Sequence, residues 1–419
     1  METASERTGL PANPPAAHGS DGLDPRAEVT VDLAIDRRAA LLRSRIASQL
    51  ARLRPVLLAY LGTRVLLIVV ALVNEALRHH SFGSELANWD GKWYRDVALY
   101  GYPHHDFHTR TTLGFFPLYP IVMWVVSHLL STTPDVAGVI ISLVGGLVAT
   151  VLVERLCRGW WGEASGRRAA ILFCVFPGSV VFSMDYSEGL LIPLAAGCIL
   201  ALQNRRWLLA GILAGLGTAV GPDAAVLIVV CAVSAALELR RRGWSDPAAR
   251  RSLIAPLLSV LGIAAFGGFL WAWTGTPLAS LHAQRYGWGE RSDPLALVWQ
   301  AKSLIKEISL AHFNDPTINL NLVVGLIGVV VLMAGLVLLL RRPRLVSIEG
   351  LAWTLGIAFL TVTSEYVPPN PRMLITAFPV VLVFAHHLKG RRYVALAAAN
   401  TALLAFLSAL TFVGITLRP

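Results

Sequence analysis

From Pro55 onward the chain alternates long apolar runs with short polar turns. The first run, Pro55 to Val73, has about the length a bilayer core demands. Further runs cover approximately 115–131, 137–154, 169–184, 189–202, 207–220, 224–239, 252–273, 321–340, 345–362, 373–388 and 394–415. Several fall short of the roughly 20 residues of a straight span, so those helices are expected to reach into their flanks or to border a thin, water-filled region. The pattern predicts an all-α, polytopic membrane protein. Residues 1–54 differ, being rich in Pro, Ala, Ser and mixed charge with no sustained apolar run. They read as a cytoplasmic, largely disordered basic tail, with Met1 to Asp24 disordered. Leu33 to Leu53 is weakly amphipathic and basic enough to lie on an anionic leaflet. No signal peptide is expected, because the first apolar run starts only at Pro55.

Arginine sets the orientation. If Phe115 to Ser131, broken by Pro117 and Pro120, dips into the outer leaflet without crossing, the turns 155–168, 203–206, 240–251, 341–344 and 389–392 share the inner side with the N-terminus. Those turns hold 17 Lys and Arg, whereas the longer segments 74–114 and 274–320 hold four each. Were Phe115 to Ser131 to cross, Arg155 to Arg168 would lie outside, against the positive-inside rule. The expectation is therefore eleven spans within residues 55–419, the C-terminus outside, and outer loops at 74–135 and 274–320.

Composition agrees and narrows the function. With 55% hydrophobic residues, 15% charged and a mean hydropathy of +0.59, one large soluble enzyme is excluded. A net charge of +10 would suggest nucleic acid in a soluble protein, but here it comes from 32 Arg against 4 Lys clustered between apolar runs. No nucleic-acid partner is expected; the bilayer is. Four cysteines, three of them inside apolar runs, form no disulfide framework and no metal or redox spacing.

The polar clusters that are not simply arginine all fall on the predicted outer side: Glu85 to Asp106, Asp185 to Glu188, Asp223, His282 to Asp315 and Glu365 to Arg372. Their shared side points to one extracytoplasmic site beneath two large loops. In the first loop Trp89, Trp93, Val97 and Tyr100 recur at helical spacing, which predicts an amphipathic helix lying in the interface on its aromatic face. By spacing alone, Asp90 is a first-turn carboxylate behind an Asn88 N-cap. His104-His105-Asp106-Phe107-His108 has the composition of a metal cluster, but adjacent histidines on a loop seldom converge on one ion and no helical i, i+4 pair is evident. It is read as a solvated loop, with Asp106 kept as a candidate lining residue.

The run from Asn88 to Tyr102, with Trp89-Asp90, Trp93-Tyr94 and Gly101-Tyr102, is followed by Phe115-Phe116-Pro117-Leu118-Tyr119-Pro120. A second block runs from Phe176-Pro177-Gly178-Ser179 to Tyr186-Ser187-Glu188. In this order the two blocks resemble the signature of the PIG-V mannosyltransferases and their bacterial relatives in the GT-C superfamily. Arg64, Asn74 and Pro371-Arg372 leading into Phe378-Pro379 extend the resemblance over roughly 55–390.

The resemblance implies a GT-C-type transferase, metal-independent or weakly metal-dependent, that takes mannose from a polyprenyl-phosphate-mannose donor on the outer face of the plasma membrane. The acceptor would be a glycolipid or glycan hydroxyl. No cofactor beyond the lipid-linked donor is expected, and a divalent metal is left open. Inverting transfer needs a carboxylate to take the acceptor proton and a cation beside the leaving phosphate. By resemblance Asp90 is the base and Arg372 the phosphate contact, since guanidinium matches phosphate oxygens bidentately. Tyr186, Ser187 and Glu188 are implied to position the acceptor or to support Asp90, and Trp89 and Tyr94 to line the substrate site. Without the motif, 186–188 is an ordinary polar turn. Arg64, a costly mid-span charge, reads equally as a structural ion pair or a phosphate contact. One departure stands out: where relatives carry an Arg after the Tyr-Ser-Glu turn, this chain has Gly221. Two other readings compete, a GT-C transferase of another polyprenyl-linked sugar and a lipid or solute transporter.

Overall fold

The structure is a computed structural model that describes residues 25–78, 86–105, 107–310, 319–365, 367–412 and 417. The expected disorder of Met1 to Asp24, and Asp106, lie outside the described residues. Contacts divide the chain into two units, Met1–Arg52 and Leu53–Pro419. Residues described in the first are helical, belonging to the helix Pro25–Arg78. Everything below concerns the second.

The chain is an all-helical, multi-pass membrane protein; among the described residues the sole β-type pairing is an isolated antiparallel bridge between Ser292 and Ser364. Six helices there are long and apolar enough to cross a bilayer: Ala51–Leu77, Pro134–Trp161, Pro222–Arg242, Pro247–Thr274, Leu320–Arg341 and Gly390–Phe412. Glu163–Val175 and the 3-10 segment Pro177–Ser183, bent by 70° where Phe176-Pro177 interrupts them, make a seventh when the pair is counted as one span. The expected eleven additionally require Glu188–Gln203, Trp207–Thr218, Ile348–Thr363 and Phe378–His387 to cross, each being apolar but 10–17 residues long.

Helix ends follow local rules. Thr133 and Pro134 open Pro134–Trp161, the Thr133 hydroxyl accepting from the Val136 N–H. Gly162, at φ +83°, stops it and lets the chain reverse.

Leu118–Leu129, within the segment expected to dip, spans 12 residues, about 18 Å at 1.5 Å per residue and well short of a hydrocarbon core of about 30 Å. Its flanks share one end of the bundle: Arg95 before it lies 4.0 Å from Asp135 after it. The Asp185 N–H bonds to the Leu86 carbonyl at 3.0 Å at that same end. The arginine-rich turns gather together elsewhere. Gln203 Nε2 donates to Ser347 Oγ at 2.7 Å, Trp161 Nε1 to the Leu345 carbonyl at 2.7 Å, and Arg205 and Arg242 both pair with Glu238. The main core packs Trp353, Phe173, Phe182 and Phe378 between these two polar ends.

Candidate active site

Asp90 opens the helix Asp90–Tyr100, as the aromatic spacing predicts. One detail differs from expectation. Trp89 and not Asn88 occupies the N-cap position, with φ +60° and no side-chain cap hydrogen bond. A bulky residue there is strained by about 1–3 kcal/mol, and the Trp89 indole N–H donating to the Thr411 carbonyl at 3.3 Å helps to hold it. The buried face is Gly91, Tyr94 and Val97, whereas Tyr100 is 82% exposed. Gly91 packs on Asp185, where an added Cβ would lie 3.1 Å from both the Asp185 Cβ and its carbonyl oxygen.

Six of the expected residues, Asp90, Tyr94, Tyr186, Ser187, Glu188 and Arg372, meet around that helix. Arg372 Nη1 donates to Asp90 Oδ2 at 2.5 Å and its Nε lies 3.4 Å from Glu188 Oε1. The guanidinium stands 5.3 Å over the Tyr186 ring, and the Tyr186 hydroxyl accepts the Asp90 N–H at 3.4 Å. Burial works against the Arg372 charge, but Glu188 and Asp90 outweigh it and push its ionisation well above the ordinary arginine value. One turn beyond Asp90, the buried Tyr94 donates to Ser187 Oγ at 2.8 Å. Asp185, beside them, is fully buried with both oxygens unbonded among the described residues, and burial pushes its carboxyl well above the usual range.

The proline-broken segment explains how Arg372 arrives. Asn370 caps the short helix Pro371–Thr376 by accepting from the Met373 N–H, which puts Arg372 in its first turn. Pro371 lies against Gly178, where a Cβ would be 2.1 Å from the Pro371 carbonyl oxygen, so only glycine admits this approach. Arg64 secures the same segment from below. Its Nη1 donates to the Ser179 carbonyl and Ser183 Oγ, both at 2.8 Å, and its Nη2 to Ser179 Oγ at 3.1 Å. These partners are carbonyl and hydroxyl oxygens, not the carboxylate of a structural ion pair. No carboxylate pairs with it among the described residues, and its hydrogen bonds satisfy polar groups that the helix break would leave unbonded inside the bundle.

A cavity of about 760 Å³ adjoins the cluster, lined by Glu188, Asp223, His282, Glu290 and Arg372 among others. Of the five clusters expected on one side, four therefore contribute to its wall. The sequence places Asp223 on the outer side and Glu290 within the His282 to Asp315 cluster, but gives neither a role in the site. Burial raises the Glu290 carboxyl above its usual range, opposed by a hydrogen bond from Ser364 Oγ at 2.7 Å. No group of three or more His, Cys, Asp and Glu among the described residues is arranged to hold a metal ion. His104 instead stacks on Trp273 at 4.0 Å.

A carboxylate clamped between a guanidinium and a tyrosine, beside an open cavity, is equipped to accept a proton from a bound hydroxyl. No family model matches the chain. In sequence it is 30% identical over 115 residues to GPI mannosyltransferase 2 of Drosophila pseudoobscura pseudoobscura, covering 25% of this chain and 24% of that protein. The chain is similar to a PIG-V protein. It spans about a quarter of the length of that curated relative. Among solved structures, ArnT from Cupriavidus metallidurans bound to undecaprenyl phosphate aligns with a TM-score of 0.46 at 15% identity, over 84% of this chain and 70% of ArnT. The Archaeoglobus fulgidus oligosaccharyltransferase in its apo form aligns with a TM-score of 0.40 at 14% identity, over 84% of this chain and 55% of that one.

Proposed function

We propose that the protein is an inverting membrane glycosyltransferase that moves mannose from a polyprenyl-phosphate-mannose donor to a hydroxyl of a glycolipid or glycan acceptor. The observation that carries this reading is the pairing of Arg372 with Asp90 and Glu188, two carboxylates from the blocks that resemble the PIG-V signature, where Arg372 and Glu188 line a cavity of about 760 Å³. The similarity to GPI mannosyltransferase 2 supports the sugar.

In this reading Asp90 takes the proton from the acceptor hydroxyl as that oxygen bonds to the anomeric carbon. The bond from the anomeric carbon to the phosphate oxygen breaks, and polyprenyl phosphate leaves with the electron pair. Arg372 holds the Asp90 carboxylate in one orientation, worth a large part of the rate when the attacking group must be placed within a fraction of an ångström. Tyr186 fixes the Asp90 backbone, Tyr94 fixes Ser187, and Glu188 faces the cavity as an acceptor contact. Trp89 lies beside Asp90 as part of the same entry, and Asp106 remains a proposed lining residue.

The site faces outward from the plasma membrane, with the basic tail 1–54 in the cytoplasm and residues 55–419 forming the GT-C-type domain. The arginine-rich turns at the opposite end support that orientation. Purified protein incubated with labelled polyprenyl-phosphate-mannose and membrane lipids should yield a mannosylated product. No transfer of mannose, with transfer of another polyprenyl-linked sugar, would replace the donor; no transfer of any sugar would remove the transferase reading.

A further inference from the structure

The cavity beside Asp90 holds more negative charge than Arg372 can balance. Asp90 and Glu188 already engage Nη1 and Nε of that one guanidinium, and Asp223 and Glu290 line the same space. A phosphate adds at least one more negative charge, and like charges held this close near a protein surface repel. An anion needs cations that are not already paired.

Arg285 and Arg291 also line this cavity. Neither has an ion-pair partner among the described residues; Arg285 has only the Tyr286 ring at 5.8 Å. Yet the backbone that carries each is held on both sides. Beside Arg285, Gln284 Nε2 donates to the Gly114 carbonyl at 3.0 Å and Trp288 Nε1 to the Thr111 carbonyl at 3.1 Å. Between them Gly287 lies so close that a Cβ would sit 2.0 Å from the Thr109 carbonyl oxygen. Beside Arg291, Glu290 accepts from Ser364 Oγ at 2.7 Å, Ser292 forms its bridge with Ser364, and the Arg291 carbonyl accepts the Glu365 N–H at 3.0 Å. Trp288 meets Trp93 edge-on at 4.9 Å, one turn beyond Asp90, so the arginine loop and the Asp90 helix share an aromatic contact.

We propose that Arg285 and Arg291 are the anion-binding residues of this cavity and take the phosphate of its ligand, leaving Arg372 to the two carboxylates. The position of the anion rests on the geometry; that the phosphate belongs to a polyprenyl donor rests on the transferase reading. Unpaired guanidiniums on fixed backbone present their forks to phosphate oxygens with little ordering still to be lost. The vacancy of the family's arginine at Gly221 is then filled from a different loop.

The test measures binding of undecaprenyl phosphate and, separately, inorganic phosphate to the purified full chain in nanodiscs. The double variant Arg285→Gln/Arg291→Gln should weaken undecaprenyl phosphate by about 10-fold or more, while Arg167→Gln, at the far end of the bundle, leaves it within about twofold. Parallel loss of inorganic phosphate assigns the arginines to the headgroup alone, and loss of the lipid form only assigns them to a headgroup held together with its chain. Unchanged affinity for both ligands in the double variant overturns the proposal, as does failure of the wild-type chain to bind either. A readout on the wild-type chain needs no variant: undecaprenyl phosphate should protect Arg285 and Arg291 from phenylglyoxal, mapped by mass spectrometry, and undiminished modification of both overturns the proposal. Phosphate binding through these arginines without mannose transfer would remove the donor reading and leave this one standing.

Discussion

Arg372 reaches across 282 positions of sequence to donate from Nη1 to Asp90 Oδ2 at 2.5 Å. The pair joins the two ends of the chain's polar pattern, the first loop and the turn before Phe378, and it sets the orientation of the proposed base. Asp90→Asn keeps the shape and an acceptor oxygen but cannot take a proton. Turnover should fall by about 10² or more, with folded protein still recovered. Asp96→Asn is the matched control, because Asp96 pairs only with its neighbour Arg95, at 3.2 Å with both side chains over a third exposed. If the Asp90 variant turns over within a few-fold of the control, the base lies elsewhere and Glu188 is next.

Arg372 serves two carboxylates at once, so its replacement should be felt in both rate and stability. Arg372→Lys substitutes a point charge for a fork and cannot keep both contacts in place, and a misplacement of this size costs about 10²-fold in turnover. Arg372→Gln leaves Asp90 and Glu188 without a counter-charge and should destabilise the fold more than Arg372→Lys does. Thermal unfolding should therefore rank Gln well below Lys. Equal melting temperatures for the two variants would mean that the cluster is solvated and the clamp unimportant.

Much of this architecture was legible in the sequence, and the exceptions have a common cause. The helix at Asp90–Tyr100 follows from its spacing, and the two motif blocks do meet, because both lie after apolar runs that end at the same side of the bundle. Gly91, silent in a hydrophobic pattern, is the residue of that helix that lets Asp185 approach. The partners of Arg64 are carbonyls and hydroxyls of a broken helix, which no charge pattern reveals. Asp223, Glu290, Arg285 and Arg291 sit on loops whose meeting depends on how helices distant in sequence pack, so their types were visible and their proximity was not.

Close helix approach beneath the site predicts a sharp glycine requirement. A Cβ on Gly145 would stand 1.7 Å from the Gly189 carbonyl oxygen, immediately after Glu188. Gly145→Ala must push Pro134–Trp161 away from Glu188–Gln203 and should lower the melting temperature and turnover together. Gly159→Ala, with nothing within 4 Å of the added Cβ, should be neutral or stabilise by up to about 1 kcal/mol through helix propensity. Equal behaviour of the two would contradict the packing described.

Gly221 offers the converse test. Its φ of −171° is ordinary extended backbone and an added Cβ meets nothing within 4 Å. Gly221→Arg should therefore fold as well as the wild type, and if relatives place a cation here for substrate, turnover should be unchanged or higher. A large loss of turnover in a well-folded variant would show that an extra charge near Asp223 obstructs the cavity.

Orientation is the last expectation to be tested, and the structure simplifies the experiment. All four native cysteines are buried, so an impermeant thiol reagent should leave the wild-type chain unlabelled in intact cells. Gly162 itself is a poor place for a reporter, because its φ of +83° strains any side chain. Glu163, 60% exposed in the next position, is better. Glu163→Cys should resist the reagent in intact cells and react once they are opened, while His105→Cys, on the loop beside the site, should react in both. The basis is the gathering of Arg158, Arg167 and Arg168 with the other basic turns at one end of the bundle. Labelling of Glu163→Cys from outside would invert the molecule, place Asp90 in the cytoplasm, and remove the argument for a donor presented on the outer face.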